Sequence, residues 1–214
     1  MILNEIQILE RLLDPNPENR IIITPLLRPE EQFGPTSVDL RLGTDFQVMR
    51  RTNLTHMDLM KSPEKLSQEV QKHMQHVKVR PAEPFVLHPG EFALASTLEF
   101  IRVPLDIAAR LEGRSTWGRL GLQIHATAGF VDPGFEGTLT FELSNVSNMP
   151  LPLYPGVRMS QICFFASTTT QLPYNQKRYS KYSGKSSAAA SAFFNDPEYQ
   201  RIRDVLHQYQ AHAL

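Results

Sequence analysis

The spacing of apolar side chains changes along this chain, and each change marks an element. Over residues 4–13, Ile6, Leu9, Leu12 and Leu13 recur at helical spacing, and Asp14-Pro15 ends the run. This predicts a short amphipathic helix packed on the main body. From residue 21 the texture becomes β. Ile21-Ile22-Ile23-Thr24 is a short apolar run, and Val38-Asp39-Leu40-Arg41-Leu42 alternates until Gly43 breaks it. Further short runs occupy 92–96, 122–126, 138–143 and 161–165, with Pro-Gly turns at 89–90, 133–134 and 155–156. Many short strands with recurring turns predict an all-β-dominated barrel or sandwich.

Two segments depart from this pattern. Residues 51–80 read as a helical insertion on the β core. Ser62-Pro63-Glu64-Lys65 starts the helix, with Leu66, Val70 and Met74 on one face. Residues 184–195 are rich in Ser, Ala and Gly and predict a flexible segment. A last helix is expected from about 197 to 210, striped by Tyr199, Ile202, Val205, Leu206 and Tyr209. The expected organisation is a single β domain over 1–183, followed by a flexible tail and helix over 184–214.

Composition narrows the partners. The 214 residues suit one domain with short extensions. With 22 basic and 22 acidic side chains the formal charge is zero. A duplex-binding protein usually carries a basic excess, so no nucleic-acid partner is expected and any anion site must be local. One cysteine, Cys163, excludes an intramolecular disulfide and a multi-cysteine zinc site, and fits a reducing compartment. The N-terminus lacks a signal-peptide pattern, and no apolar stretch is long enough to span a bilayer. A cytoplasmic protein without membrane contact is expected.

The chemistry concentrates between residues 113 and 143. Gly113-Arg114-Ser115-Thr116 offers backbone donors, hydroxyls and a guanidinium, groups that match phosphate oxygens. A polar turn with Arg114 paired to an acid such as Glu112 fits the same residues. In Thr138-Leu139-Thr140-Phe141-Glu142-Leu143, period two puts Leu139, Phe141 and Leu143 on the apolar face. Glu142 therefore faces solvent or a polar pocket. Asp132 precedes a Pro-Gly turn, where Asp is common for local reasons. His125 suits a hydrogen-bonded structural role, Trp117 packing, and Cys163 an inert core thiol. Residues 173–185 combine four basic side chains, three tyrosines and a flexible end, which suits either a lid over a polyphosphate or a solvated tail.

Taken together, these segments resemble the dCTP deaminase family of the dUTPase-like superfamily. The likeness runs from Gly34-Pro35-Thr36-Ser37-Val38-Asp39-Leu40-Arg41-Leu42-Gly43 through the central block. It continues in Leu143-Ser144-Asn145, Leu153-Tyr154-Pro155-Gly156, Gln161 and Lys181-Tyr182-Ser183-Gly184. The resemblance implies a distorted β-barrel or jelly-roll-like body, assembled as a homotrimer with active sites between subunits. It implies that Arg114, Ser115 and Thr116, with the backbone through Trp117, Gly118 and Arg119, hold the triphosphate. Asp132 would bind the deoxyribose 3′-hydroxyl and the Thr140 backbone the base. Glu142 would be the acid/base, and Arg119 and the Ala128 carbonyl would position the water, with Ser115 in the same catalytic set. Gln161 would line the pocket, and Tyr174, Lys181 and Lys185 would close over the nucleotide. Magnesium would travel with the triphosphate. Thr116 stands where a second serine is usual, and Lys185 stands where the family carries an amide, so its contact is expected to become ionic.

Deamination at cytosine C4 needs a nucleophilic water, a protonated N3 and a departing ammonia, and one carboxylate can serve all three steps. Zinc deaminases use a His/Cys/Cys metal site instead, which one cysteine cannot build. The expected mechanism is therefore zinc-independent water activation by Glu142. The first expectation is dCTP conversion to dUTP and ammonia, with dUTP or dTTP as further ligands. The alternative is a bifunctional enzyme giving dUMP, pyrophosphate and ammonia. Thr127-Ala128-Gly129-Phe130 resembles that branch more than the one with His-Arg after the alanine, and Asp132 would then help activate the second water. A third reading, from another class, is a non-catalytic nucleotide sensor with the 51–80 insertion or last helix as partner surface.

Overall fold

The computed structural model describes residues 1–50, 55–58, 61–127, 129–176, 181–182 and 184–212, with side chains through residue 208. By its contacts the chain divides into two compact units, residues 1–48 with 76–189, and residues 49–75 with 190–214.

The first unit opens with α1 (Glu5–Leu12), whose Asn4 and Gln7 form a reciprocal capping box. Ile8 is fully buried and Leu12 packs against the core, whereas Ile6, Leu9 and Leu13 are exposed. The buried side of the helix is thus the Ile8/Leu12 pair, one step round from the expected stripe. Arg11 sets this rotation through an ion pair with Asp106 and a bond from the Ile21 amide to its carbonyl. Strand β1 (Ile22–Thr24) follows, then the single-turn α2 (Pro29–Gln32) and the long β2 (Val38–Met49). Beyond α3 (Pro63–His73) come β3 (Met74–Lys78), β4 (Phe85–Leu87), β5 (Phe92–Arg102) and β6 (Ile107–Gly113). The short turn α4 (Ser115–Gly118) leads to β7 (Leu122–Gln123), β8 (Phe130–Val131), β9 (Glu136–Asn145), β10 (Leu151–Leu153) and β11 (Arg158–Ala166).

One curled sheet has the order β7-β9-β5-β2-β11-β6-β8, with β1 on β5 and β3 on β2, and β10 pairs β4 separately. The expected β-dominated body is what the chain forms. Its three Pro-Gly turns all use a positive φ at the glycine, +74° at Gly90, +80° at Gly134 and +89° at Gly156, the geometry glycine adopts without strain. The core gathers Leu40, Leu42, Phe46, Ile101, Phe141, Leu143 and Phe164, all fully buried, and Phe46 stacks on Phe85 with centroids 4.3 Å apart.

Beside Gly43 the pleat breaks. A Cβ there would lie 2.7 Å from Ser96 Oγ and 2.9 Å from its carbonyl oxygen, so glycine lets β2 approach β5. Both strands shift register here, β2 between Leu42 and Phe46 and β5 between Ser96 and Phe100. The shift turns Ser96, Thr97 and Glu99 inward.

The second unit contains α3 and α5 (Pro197–His212). Ser62 caps α3, and Leu66 and Val70 are buried on one side as the spacing predicts, whereas Met74, expected on the same helical face, lies past the helix end and begins β3. The turn at Phe193–Asn195 packs against both helices, and Phe193 meets Tyr199 edge-on at 5.6 Å. Among the described residues no helix is long and apolar enough to cross a membrane.

Candidate active site

Where β6 ends, the chain bends into α4 with Arg114 at its cap. The Trp117 and Gly118 amides donate to Arg114 O at 3.0 and 3.2 Å, and Arg119 N donates to Ser115 O at 3.0 Å. Ser115, Thr116, Gly118 and Arg119 are exposed on this turn. Trp117 is half-buried and packs on the core, and its Nε1 donates to Arg158 O at 2.9 Å. That bond ties the turn to β11.

Arg114 pairs with Asp39 rather than Glu112. Its Nε lies 3.3 Å from Asp39 Oδ2, and its Nη1 donates to Arg158 O at 3.2 Å. Glu112 pairs instead with Arg110. Burial pushes the Asp39 carboxyl above its ordinary value, against the pull of Arg114, Arg158 and Arg41. Behind it, Gln32 donates to Asp39 O at 3.0 Å and to Glu99 Oε1 at 3.2 Å, while Arg41 N donates to Glu99 Oε2 at 2.9 Å. Burial pushes Glu99 up to about 7. Gln161 on β11 sits in register between Asp39 on β2 and Glu112 on β6, half-buried.

A cleft of about 360 Å³ opens beside the turn, lined among others by Arg110, Glu112, Arg114, Ser115, His125 and Ala126. Glu142 borders it from β9. The burial of β9 alternates strictly, so Glu142 stands on the polar face with its side chain 30% exposed. Its amide donates to Ile124 O at 2.9 Å, which docks the strand on the 124–126 segment. The carboxylate in turn accepts from the Ala126 amide at 3.3 Å and lies 3.8 Å from His125 Nδ1. His125 is largely buried, and among the described residues its Nδ1 has no hydrogen-bond partner. A carboxylate beside a cleft, with one oxygen on the backbone amide of a lining residue, can exchange protons with a bound ligand.

Further along the polar face of β9, a second group gathers. Pro133 O accepts from Tyr174 N at 2.9 Å, and Tyr174 packs on Phe135 with ring centroids 5.8 Å apart. Burial raises the Tyr174 hydroxyl pKa, while bonds to the Tyr182 and Lys181 backbone and the Asp132 charge modulate it. Thr138 N and Oγ1 donate to Lys185 O at 2.9 and 3.3 Å, and Ala189 N donates to Thr140 Oγ1 at 3.3 Å. Lys185 thus engages β9 through its carbonyl.

The structure therefore brings Arg114, Ser115 and Gly118 together in the lining of the cleft, with Thr116, Trp117 and Arg119 on the same turn outside that lining and Glu142 bonded to the lining residue Ala126. Asp132, Tyr174 and Lys181 lie together in the second group, with Thr140 and Lys185 along β9. Arg119 makes no side-chain hydrogen bond or ion pair among the described residues. Ala128 lies outside the described residues. Sequence reasoning missed two members. Asp39 appeared only as part of a motif, although its place in the alternation of β2 puts it on the polar face. His125 was given only a structural role, because nothing in one strand shows that Glu142 lies opposite it.

A solved structure of 2′-deoxycytidine 5′-triphosphate deaminase from Agrobacterium tumefaciens superimposes with a TM-score of 0.57 at 23% identity. The match covers 78% of this chain and 48% of that one, and it shows a shared fold. A dCTP deaminase-like family model matches residues 2–167. A Methanobrevibacter smithii protein named "dCTP deaminase, dUMP-forming" is 47% identical over 167 residues, 77% of this chain and 83% of that one. A Methanosphaera stadtmanae protein of the same name is 42% identical over 181 residues, 84% and 89% of the two chains. The chain belongs to the dCTP deaminase-like family.

Proposed function

We propose that this enzyme converts dCTP to dUMP in the cytoplasm, with two waters consumed and ammonia and pyrophosphate released. The observation that carries the deaminase step is Glu142, half-buried on the polar face of β9 and bonded to the amide of Ala126, which lines the cleft. The names of relatives at 42–47% identity favour the dUMP-forming alternative over release of dUTP.

The assigned roles follow the chemistry of each group. Arg114, Ser115 and Thr116 hold the triphosphate with the amides through Arg119. Mg²⁺ arrives as part of the substrate, bound by phosphate oxygens. The turn suits this division, since it presents a cation and hydroxyls, and the acid nearest in the strand, Glu112, is paired with Arg110. Glu142 takes a proton from the attacking water and returns protons to N3 and the departing amine. The amide at Ala126 fixes which oxygen does so. Arg119 and the Ala128 carbonyl position that water. Asp132 holds the 3′-hydroxyl and assists the second water, which attacks the α-phosphorus and expels pyrophosphate. Thr140, Gln161, Tyr174, Lys181 and Lys185 complete the enclosure. The reading carries a homotrimer with sites between neighbouring subunits, which analytical ultracentrifugation tests.

Incubation with dCTP and Mg²⁺, followed by chromatography, decides between the outcomes. Equal amounts of dUMP, pyrophosphate and ammonia are expected. Stoichiometric accumulation of dUTP would overturn the dUMP-forming reading. No ammonia from any pyrimidine nucleotide would overturn the deaminase reading and favour a non-catalytic sensor.

A further inference from the structure

We propose that Asp39 is a positioning residue for triphosphate binding and acts through Arg114. The inference rests on the reading of residues 114–119 as the phosphate-binding turn. The Asp39 side chain is 14% exposed and reaches two arginines at once, Arg114 Nε at 3.3 Å and Arg158 Nη1 at 3.3 Å. Arg158 is the residue whose carbonyl receives both Trp117 Nε1 and Arg114 Nη1. One carboxylate thus steadies the turn through its arginine and through the strand that the turn is tied to.

The geometry fixes the plane of the Arg114 guanidinium. Nε and Nη1 are committed to protein oxygens, and among the described residues Nη2 makes no hydrogen bond. That edge is left for a phosphate oxygen. A free arginine side chain gives up rotamer entropy when it is fixed, and a pre-set one has already done so. Asp39 is itself fixed, because Gln32 holds its carbonyl from the buried side.

Simple charge counting makes the opposite forecast. Removing a negative charge beside a triphosphate should tighten binding. The two accounts therefore differ in sign. In Asp39→Asn, which keeps the shape and loses the charge, Kd for α,β-imido-dCTP with Mg²⁺ should rise about tenfold, measured by calorimetry on the full chain. In an Arg114→Ala background the same change should shift Kd less than about twofold, because the partner is gone. Asp39→Glu should recover part of the loss, and it carries the same cycle if thermal melting shows that the Asn variant does not fold. Tighter or unchanged binding in Asp39→Asn, or an equal loss in both backgrounds, would overturn the inference alone. Failure of the unaltered protein to bind the analogue would overturn the functional reading with it.

Discussion

Glu142 and Glu99 are both carboxylates on central strands, and their surroundings give them different work. Glu142 stands at a cleft with one amide bond, while Glu99 is fully buried among Gln32 and the Arg41 amide. Glu142→Gln is expected to lower ammonia release by at least about a thousandfold while the Kd for α,β-imido-dCTP stays within about threefold. Retained turnover in a single-turnover assay would remove Glu142 from the mechanism. For Glu99, a carboxyl raised from 4.5 to about 7 means that the folded state binds its proton more tightly than the unfolded chain. The stabilising contribution is complete below about pH 4.5 and is lost as pH rises to about 7, on the order of 3 kcal/mol. Asp39, also raised by burial, adds a slope of the same sign. The melting temperature should fall from about pH 5 to about pH 8, and Glu99→Gln should flatten most of that fall. An unchanged slope in the variant would rule Glu99 out as its source. In the sequence Glu142 was legible, because strict alternation on β9 assigns its face. Glu99 was not, because alternation carries no mark of the bulge that turns it inward.

At the scale of elements, turns were the most readable feature. Each Pro-Gly pair announced a turn, and each turn is there with its glycine at positive φ. The consequence of replacing one depends on what surrounds it. A Cβ at Gly134 would meet Pro173 Cβ at 2.7 Å and Tyr174 N at 3.2 Å, whereas at Gly90 it meets nothing within 4 Å. Gly134→Ala and Gly90→Ala should each lose about 1–2 kcal/mol to the positive φ, read by denaturant melts. Only Gly134→Ala should also raise KM for dCTP, since it displaces the segment that carries Tyr174. Equal KM values would separate this turn from nucleotide binding. The long strands and the extents of the helices at 5–12, 63–73 and 197–212 were legible in the apolar period, but the stripe expected on the last helix does not mark a buried face, since Ile202, Val205 and Leu206 are exposed. The one-turn α4 and the β4–β10 pair were invisible, being too short to show any period. The face of α1 was misplaced because Arg11 and Asp106 are 95 residues apart, a contact that no local pattern contains.

For the whole molecule, the family match ends at residue 167, while the second unit draws on 49–75 and 190–214. The candidate residues all fall in the first unit. Nucleotide should therefore stabilise that unit by mass action, by about 2.7 kcal/mol at a hundredfold excess over Kd. Scanning calorimetry should show a higher melting temperature with α,β-imido-dCTP for the unaltered protein and for Glu142→Gln. Arg114→Ala should lose most of the rise, and an undiminished rise there would show that Arg114 does not anchor the ligand. How far the tail reaches was not legible, because its Ser/Ala/Gly composition hides main-chain bonding. Its grip on β9 is made by the Gly184 amide, the Lys185 carbonyl and the Ala189 amide. A latch built from peptide groups is blind to side-chain identity, so these positions can drift over evolution without releasing it. Proline at 184 or 189 is the exception, as it has no proton to offer the Glu136 carbonyl or the Thr140 hydroxyl.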